Sequence, residues 1–330
     1  MDVFRLTREL IDIPSVTGDE FQIGTSLGEL LVRYGYRVEL QDVADERSNI
    51  IATTGARPRV VLSTHMDTVP PFIASSEDDD FIYGRGSCDA KGIIAAQIAA
   101  AEQLRAQGLN EIGLLFTVDE EVASAGAKIA NDHPLAASCE YLINGEPTDN
   151  QLATGTKGSI QTIIRTEGRA AHSAYPEYGE SAIEKLLEVL NDLRNIEWPD
   201  DDVFGETTCN IGVLSGGVRA NVIPSEAQAT LHIRLAKESS TVKQLLEQAI
   251  AGRASIDYKS VHDPVRLFTV AGFDQMLARF TTDIPYLSNW GKALLIGPGS
   301  ILDAHTDGEK IRKSDLTKAV ELYVELVKAL

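Results

Sequence analysis

Short apolar runs alternate with helical patterns through the first 150 residues, and this alternation is the feature that most constrains the fold. Helical patterns lie near residues 2–12, 20–34, 91–107 and 125–131. Candidate strands lie between them, at Arg37–Leu40, Asn49–Thr53, Arg59–Thr64, Ile112–Val118 and Tyr141–Asn144. Such alternation is typical of a sheet covered by helices, and strands this apolar are usually buried in a parallel or mixed sheet. The pattern predicts an α/β fold in which helices flank a mixed sheet.

From about Gly158 the pattern changes to that of a separate α+β domain. Its predicted elements are a strand at Gly158–Thr166, a helix at Glu180–Arg194, strands at Thr208–Leu214 and Glu226–Leu235, a helix at Ser240–Ala251 and a strand at Ser255–His262. This order, β-α-β-β-α-β, is that of a ferredoxin-like unit. The chain then returns to a helix near Phe273–Phe280, a strand at Ala293–Ile296 and an amphipathic helix at Ser314–Leu330. We therefore expect one domain from residues 1–157 and 267–330, with a ferredoxin-like α+β domain inserted at 158–266.

The charge of the chain excludes several classes of partner. The 330 residues contain 30 Lys and Arg against 49 Asp and Glu, for a net charge of −19. A surface this negative repels nucleic acid and anionic lipid, so we expect neither nucleic acid nor membrane as a partner. The most apolar stretch, Ile93–Ala101, is far too short to span a bilayer. Three cysteines without C-x-x-C spacing argue against a disulfide framework and favour a reducing compartment, the cytoplasm.

Residues able to bind a metal recur just after the apolar strands, apart from one that opens a helix and one in a later loop. They are His65, Asp67, Asp89, Glu120, Glu121, Glu146 and His305. In open α/β sheets, ligands bind at the carboxyl ends of the strands. Neutral imidazole and carboxylate oxygen suit zinc, and a pair of ions needs a carboxylate able to bridge them. The set predicts a zinc site built from segments as much as 240 residues apart.

Each member of this set also has an ordinary structural interpretation. With 49 acidic residues, a Glu–Glu pair is usually solvated surface, and a single His at a strand end is usually structural. Only the combination supports a metal site. A different chemistry, that of a serine amidase insensitive to chelators, is offered by the Ser-x-x-Lys pattern of Ser240 and Lys243. This pattern begins an amphipathic helix without a companion motif, so its simpler interpretation is an exposed helix start.

Seven ordered segments together resemble a known family. They are Ser63–Pro70 (STHMDTVP), Gly84–Gly92 (GRGSCDAKG), Thr117–Glu121 (TVDEE), Gly145–Thr148 (GEPT), Ala171–Ser173 (AHS), Asn221–Pro224 (NVIP), and Gly297–Gly299 (GPG) leading to Ala304–Thr306 (AHT). The chain is similar, nearly end to end, to the dinuclear zinc amidohydrolases and peptidases. This family includes acetylornithine deacetylase, succinyl-diaminopimelate desuccinylase, aminoacylase and the glutamate-releasing carboxypeptidases. The resemblance implies a zinc-peptidase-like domain with an inserted lid domain through which many members form homodimers.

The resemblance also implies a metal set. Two zinc ions, with cobalt as a substitute, would share the carboxylate of Asp89. His65 and Glu146 would complete one site, and Glu121 and His305 the other. In this family an Asp at the position of Glu146 tends to accompany aminopeptidases, whereas Glu is typical of the deacylase and carboxypeptidase branch.

Catalytic and substrate-binding roles follow from the same resemblance. Glu120 would be the general base, and Asp67 would orient the imidazole of His65. His172 resembles the lid histidine that supports the developing oxyanion, in some members across the dimer interface. Asn221 and Arg234 resemble residues that bind the substrate carboxylate, although Arg234 has an equal alternative as an outward-facing surface residue of a strand.

The function implied is hydrolysis of the amide bond of a small N-acyl amino acid by a zinc-activated water. Carboxypeptidase or dipeptidase activity on small peptides is the alternative within the family, and a catalytically silent metabolite-binding protein is the alternative outside it. Retention of Glu120 favours an enzyme, because a binding protein needs no base. The short stretch Val69–Gly84 and the cysteine at position 88 depart from the family pattern and leave the substrate open.

Overall fold

A computed structural model describes residues 1–55 and 57–330. The chain divides into two compact units. Unit 1 contains Met1–Thr154, Leu267–Met276 and Thr282–Leu330, and unit 2 contains Gly155–Arg266 and Leu277–Thr281. The catalytic and lid roles assigned above to the two parts of the chain stay predictions.

The described residues contain seven α-helices, which are α1 (Val3–Ile11), α2 (Phe21–Arg33), α3 (Lys91–Ala106), α4 (Ala125–Ala130), α5 (Ala182–Arg194), α6 (Ser239–Ile250) and α7 (Lys313–Ala329). Local sequence explains several of their starts. The carboxylate of Asp2 accepts hydrogen bonds from the backbone N–H groups of Phe4 and Arg5 at the start of α1, and Ser181 caps α5 in the same way. Among the residues that the structure describes, no helix is both long enough and apolar enough to span a bilayer.

The strands of the described residues are β1 (Arg37–Ala44), β2 (Arg47–Thr53), β3 (Val60–His65), β4 (Ser76–Glu77), β5 (Phe81–Tyr83), β6 (Ile112–Thr117), β7 (Tyr141–Asn144), β8 (Leu152–Thr156), β9 (Gly158–Glu167), β10 (Ala171–His172), β11 (Asp200–Asp201), β12 (Gly205–Glu206), β13 (Thr208–Gly216), β14 (Val222–Ile223), β15 (Glu226–Leu235), β16 (Ser255–His262), β17 (Val265–Arg266), β18 (Gln275–Ala278), β19 (Lys292–Leu295) and β20 (Lys310–Arg312).

Unit 1 is built on a six-stranded mixed sheet with the order β1-β2-β6-β3-β7-β19. The four strands β6, β3, β7 and β19 run parallel, and β1 and β2 extend the sheet in antiparallel pairs. Helix α3 is buried over most of its length and packs with α1 and α7 over one large apolar core. A second, smaller core contains Trp290, whose indole N–H donates to the carbonyl oxygen of Ala130 at 2.9 Å. The mixed α/β architecture confirms the predicted fold class.

Unit 2 contains an antiparallel sheet with the order β13-β15-β9-β16. Along β15 the residues Ala227, Ala229, Leu231 and Ile233 are buried, and they share an apolar core with α5 and α6. The residues between them in sequence are more exposed, as the period of two in a strand requires. The chain order β9-α5-β13-β15-α6-β16 is the predicted ferredoxin-like order.

The predicted helix near Phe273–Phe280 is wrong, because this segment contains strand β18. Apolar residues at 273, 276, 277 and 280 have helical spacing, which produced the prediction. In the structure the segment lies beside β8, a strand that the sequence analysis missed. The carbonyl oxygen of Asp274 accepts a hydrogen bond from the N–H of Leu152 at 2.8 Å, and that of Met276 accepts one from the Thr154 hydroxyl at 3.1 Å. Pairing with a strand more than 100 residues away in sequence therefore prevails over the local pattern.

Candidate metal centre

Four parallel strands bring most of the predicted metal ligands to one edge of the large sheet in unit 1. His65 is the last residue of β3, Glu120–Glu121 follows β6, and Glu146 follows β7. The loop after β19 carries His305. Because parallel strands end at the same edge of a sheet, side chains that follow them lie close together.

The carboxylate of Asp89 lies between two imidazoles. Its Oδ1 is 2.9 Å from His65 Nε2, and its Oδ2 is 3.2 Å from His305 Nε2. His305 Nε2 is also 2.9 Å from Glu121 Oε1. One ligand atom from each of His65, Asp89 and Glu121 lies within 4.8 Å of the others. A carboxylate whose two oxygens face two different ligand side chains has the arrangement needed to bridge two ions.

The same contacts stabilise positive charge at both imidazoles. Hydrogen bonds with Asp89 and Glu121 raise the pKa of His305 to about 10. Burial alone would lower the pKa of His65, but Asp67 and Asp89 raise it well above its ordinary value. Burial would raise the pKa of Asp89, but hydrogen bonds with the two imidazoles lower it. A site that stabilises cations at these two places is chemically suited to divalent metal ions, which replace the protons when they bind.

Glu146 and Glu120 are two further carboxylates beside this cluster. Glu146 is 4% exposed, and its Oε1 is buried without a hydrogen-bond partner among the described residues. Burial raises the pKa of Glu146, and the charge of Asp89 adds to this effect. Burial likewise raises the pKa of Glu120, with a further contribution from the charge of Glu146. Since an unpaired buried carboxylate is costly, the donor set present here fits metal ions that would compensate it.

Asp67 connects His65 to the segment that carries the two glutamates. His65 Nδ1 is 2.9 Å from the carbonyl oxygen of Asp67 and 3.6 Å from its carboxylate. That carboxylate accepts hydrogen bonds from the backbone N–H groups of Glu120 and Glu121, at 3.1 and 3.2 Å, and from the Thr17 hydroxyl at 2.8 Å. Burial would raise the pKa of Asp67, but His65 and the hydrogen-bond donors lower it. Asp67 therefore holds both the imidazole and the backbone of the glutamate pair.

Asp283 is an acidic residue of this site that the sequence analysis missed. It is 2% exposed, and its Oδ2 accepts a hydrogen bond from the Thr117 hydroxyl at 2.7 Å. Burial raises the pKa of Asp283 to about 6, and its charge contributes to the raised pKa of Glu120 and of Glu146. Unlike His65, it does not lie at the end of a strand of the large sheet; it directly precedes the 3-10 helix Ile284–Tyr286. Its one local signal, an Asp before Ile-Pro, is typical of any helix start.

The predicted substrate-binding and oxyanion residues lie in unit 2. His172 is exposed, and its Nδ1 accepts a hydrogen bond from the backbone N–H of Ala174 at 3.1 Å. Asn221 is exposed, and its carbonyl oxygen accepts one from the N–H of Ser173 at 3.1 Å. Arg234 is half-buried on β15, and its Nη1 is buried without a partner among the described residues. Burial lowers the pKa of Arg234, so a carboxylate that paired with its guanidinium would relieve this cost.

The structure does not favour the serine-amidase alternative. Ser240 is exposed in the first turn of α6. The ammonium of Lys243 lies 4.9 Å from the centre of the Tyr258 ring, in a cation–π contact. Lys243 is thus held against an aromatic ring, and Ser240 has the features of an ordinary helix start.

Comparison with known proteins identifies the family of the chain. Residues 61–329 match the family model described as Peptidase family M20/M25/M40. A peptidase M20 domain-containing protein of Schizosaccharomyces pombe is 37% identical, over 99% of this chain and 84% of that protein. A probable carboxypeptidase of Aspergillus niger is 36% identical, over 98% of this chain and 88% of that protein.

Solved structures with low sequence identity share the fold. A tripeptidase from Staphylococcus aureus has a TM-score of 0.83 at 20% identity, over 99% of this chain and 97% of that chain. An M20 family metallo-carboxypeptidase from Sulfolobus solfataricus has a TM-score of 0.80 at 17% identity, over 100% and 99%. A Bacillus subtilis protein described as a dinuclear metal binding peptidase from the M20 family has a TM-score of 0.71 at 15% identity, over 99% and 98%.

The family match spans most of the chain, and the relatives more than 30% identical align with nearly all of it. These matches confirm the family resemblance drawn from the sequence. The chain therefore belongs to peptidase family M20/M25/M40, a family of metallopeptidases.

Proposed function

We propose that the protein is a zinc-dependent carboxypeptidase that hydrolyses the last amide bond of small peptides with a free terminal carboxylate. The observation that carries this proposal is the carboxylate of Asp89, which lies between His65 and His305. Relatives named probable carboxypeptidases support a peptide substrate. Deacylation of an N-acetyl or N-succinyl amino acid is the second candidate, because a Glu at position 146 is typical of deacylases as well as carboxypeptidases and such a substrate has the same amide and carboxylate.

The proposed site would hold two metal ions, which we propose are zinc; the Bacillus subtilis protein is described as a dinuclear metal binding peptidase. Asp89 would bridge them, with His65 and Glu146 on one ion and Glu121 and His305 on the other. When bound, such ions polarise the scissile carbonyl and acidify an attacking water. The buried and unpartnered Oε1 of Glu146 supports its assignment as a ligand.

The residues of the chain would supply the remaining chemistry. Glu120 accepts the proton of the attacking water and then donates it to the leaving amine, and its raised pKa suits a group that must take and return a proton. Asp67 keeps the backbone of Glu120 in place. His172 donates a hydrogen bond to the carbonyl oxygen as negative charge develops. Arg234 binds the substrate carboxylate with help from Asn221, an assignment that the free Nη1 of Arg234 supports.

We further infer that the protein acts as a homodimer in the cytoplasm, with unit 2 as the dimer interface. Strand β13 lies at the edge of its sheet and exposes Ile211, Val213 and Leu214. An exposed apolar edge strand readily pairs with a second copy of the same strand. Free cysteines at 88, 139 and 209 support a reducing compartment. Sedimentation analysis of the purified protein tests the dimer.

Metal analysis combined with a screen for amine release tests the proposed activity. The screen covers dipeptides, tripeptides, N-acetyl amino acids and N-succinyl amino acids, before and after chelation. We expect chelation to abolish hydrolysis, and zinc or cobalt to restore it. Full activity after verified metal removal would refute metal dependence, whereas bound metal without turnover of any substrate would favour a binding protein.

A further inference from the structure

Glu309 is a buried residue outside the proposed ligand set, and its carboxylate binds the loop that presents Asp89. Its Oε2 accepts a hydrogen bond from Arg85 Nη1 at 2.6 Å. Its Oε1 accepts hydrogen bonds from the backbone N–H groups of Gly86, Cys88 and Asp89, at 2.9, 3.1 and 3.1 Å. Glu309 is 1% exposed. One oxygen atom thus fixes three amide groups of the loop, including the amide of Asp89 itself.

Arg85 connects the same loop to the segment that carries His305. Besides its contact with Glu309, its guanidinium donates to the carbonyl oxygen of Thr306 at 3.2 Å and to that of Pro71 at 3.3 Å. Arg85 is 2% exposed, so its ion pair with Glu309 is shielded from solvent. The two side chains therefore join segments that lie more than 200 residues apart in sequence.

We propose that Glu309 is a positioning residue for metal binding, which acts through the backbone of Asp89 and, together with Arg85, through the segment of His305. This inference rests on the proposed function, because the positions of Asp89 and His305 matter in this way only if they bind ions. Removal of the Glu309 carboxylate would leave the N–H groups of the loop and the Arg85 guanidinium buried without their acceptor. The loop would then relax, and the Asp89 oxygens would lose their orientation toward both imidazoles. Groups that orient metal ligands typically change metal affinity by 10- to 100-fold when they are lost.

Two substitutions of Glu309 distinguish its contacts. Glu309→Gln keeps an oxygen for the three backbone N–H groups but removes the charge that faces Arg85. Glu309→Ala removes the acceptor for all of them. Glu102→Gln is the matched control, because Glu102 also pairs with an arginine in unit 1, at 2.8 Å from Arg105. It lies eleven residues into α3, about 16 Å along the helix from its start beside Asp89.

The experiment measures zinc affinity by competition with a chromogenic chelator, using the full-length metal-free protein and each folded variant. We expect affinity to fall about tenfold in Glu309→Gln and about 100-fold in Glu309→Ala, with no change in Glu102→Gln. The absorption bands of the cobalt form, which report ligand geometry, should shift in the Glu309 variants only. Melting curves of the metal-free proteins show separately how much stability each variant loses.

Wild-type zinc affinity and an unchanged cobalt spectrum in Glu309→Ala would overturn the inference, even if that variant melted earlier. If Glu309→Ala does not fold, the same two measurements on Glu309→Gln decide. Failure of the proposed metal site has a different signature, since the wild-type protein itself would then bind neither zinc nor cobalt; failure of the proposed activity alone would leave these affinities unchanged.

Discussion

Replacement of Glu120 by Gln separates the proposed chemistry from metal binding. The substitution preserves the shape of the side chain and the hydrogen bond from the backbone N–H of residue 120 to Asp67, at 3.1 Å. Glu120 is absent from the contacts that join Asp89 to the two imidazoles and His305 to Glu121, so metal content should be unchanged. An amide cannot accept the proton of water. Loss of a positioned general base should lower kcat by about 10²- to 10⁴-fold, or roughly 3 to 5 kcal/mol in activation free energy.

The same substitution should stabilise the metal-free protein. Burial, followed by the charge of Glu146, raises the pKa of Glu120 in the folded state above its ordinary value of 4.5. Above that ordinary value, Glu120 ionises more readily in the unfolded chain than in the folded protein. This difference lowers the free energy of unfolding. Gln carries no charge in either state. The melting temperature of Glu120→Gln should exceed that of the wild type near neutral pH, and the difference should vanish below about pH 4, where the carboxyl group is protonated in both states.

The assay combines steady-state amine release, metal analysis and melting curves of the metal-free proteins between about pH 4 and 7. Glu121→Gln serves as the control, because it removes the charge that faces His305 and should lower metal content. Near-native turnover in Glu120→Gln would refute its assignment as the base. A loss of metal equal to that of Glu121→Gln would instead place Glu120 among the ligands.

Three further predictions concern other residues of the two units. Arg234→Ala should raise KM at least about tenfold for substrates with a free carboxylate, as expected for one charge-assisted hydrogen bond, and should leave KM for their amides unchanged; equal losses for both would indicate a structural role. His172→Ala should lower kcat by about 10²-fold with little change in KM or metal content, and unchanged turnover would reduce it to a surface residue that caps a turn. In the metal-free protein His305 has a pKa of about 10, above its ordinary 6.5, so its contribution to stability is complete below pH 6.5 and is lost as the pH rises toward 10. Melting temperatures between pH 7 and 10 should therefore fall more steeply in the wild type than in His305→Gln, and parallel decreases would contradict the assigned contacts.

Local sequence patterns predicted most of the elements because each pattern reflects burial on one face. Strand β15 has the bounds that its alternating apolar residues predicted. The strand that ends at His65 and the strand before Glu146 each contain three consecutive apolar residues and are buried almost throughout, as strands covered on both faces should be. Since such strands usually run parallel, their positions in the sequence predict that their ends meet at a common site. The segment at 273–280 shows the limit, because its four apolar residues have helical spacing but the segment contains strand β18, which pairs with β8.

Asp283 and Glu309 escaped the sequence analysis for a different reason. The chemistry of each depends on partners distant in sequence, since Asp283 lies 166 positions after Thr117 and Glu309 lies 220 positions after Asp89. A metal ligand is recognisable from its own side chain and the strand before it, whereas a residue that holds a ligand loop in place is defined by the donors around its carboxylate. In the sequence Glu309 is one of the chain's 49 acidic residues, and it lies in a polar segment. In the structure it is buried and accepts hydrogen bonds from three backbone N–H groups of the Asp89 loop and from the Arg85 guanidinium. The difference arises because folding converts a solvated charge into a buried one, and only the buried charge can force the backbone around it into one arrangement.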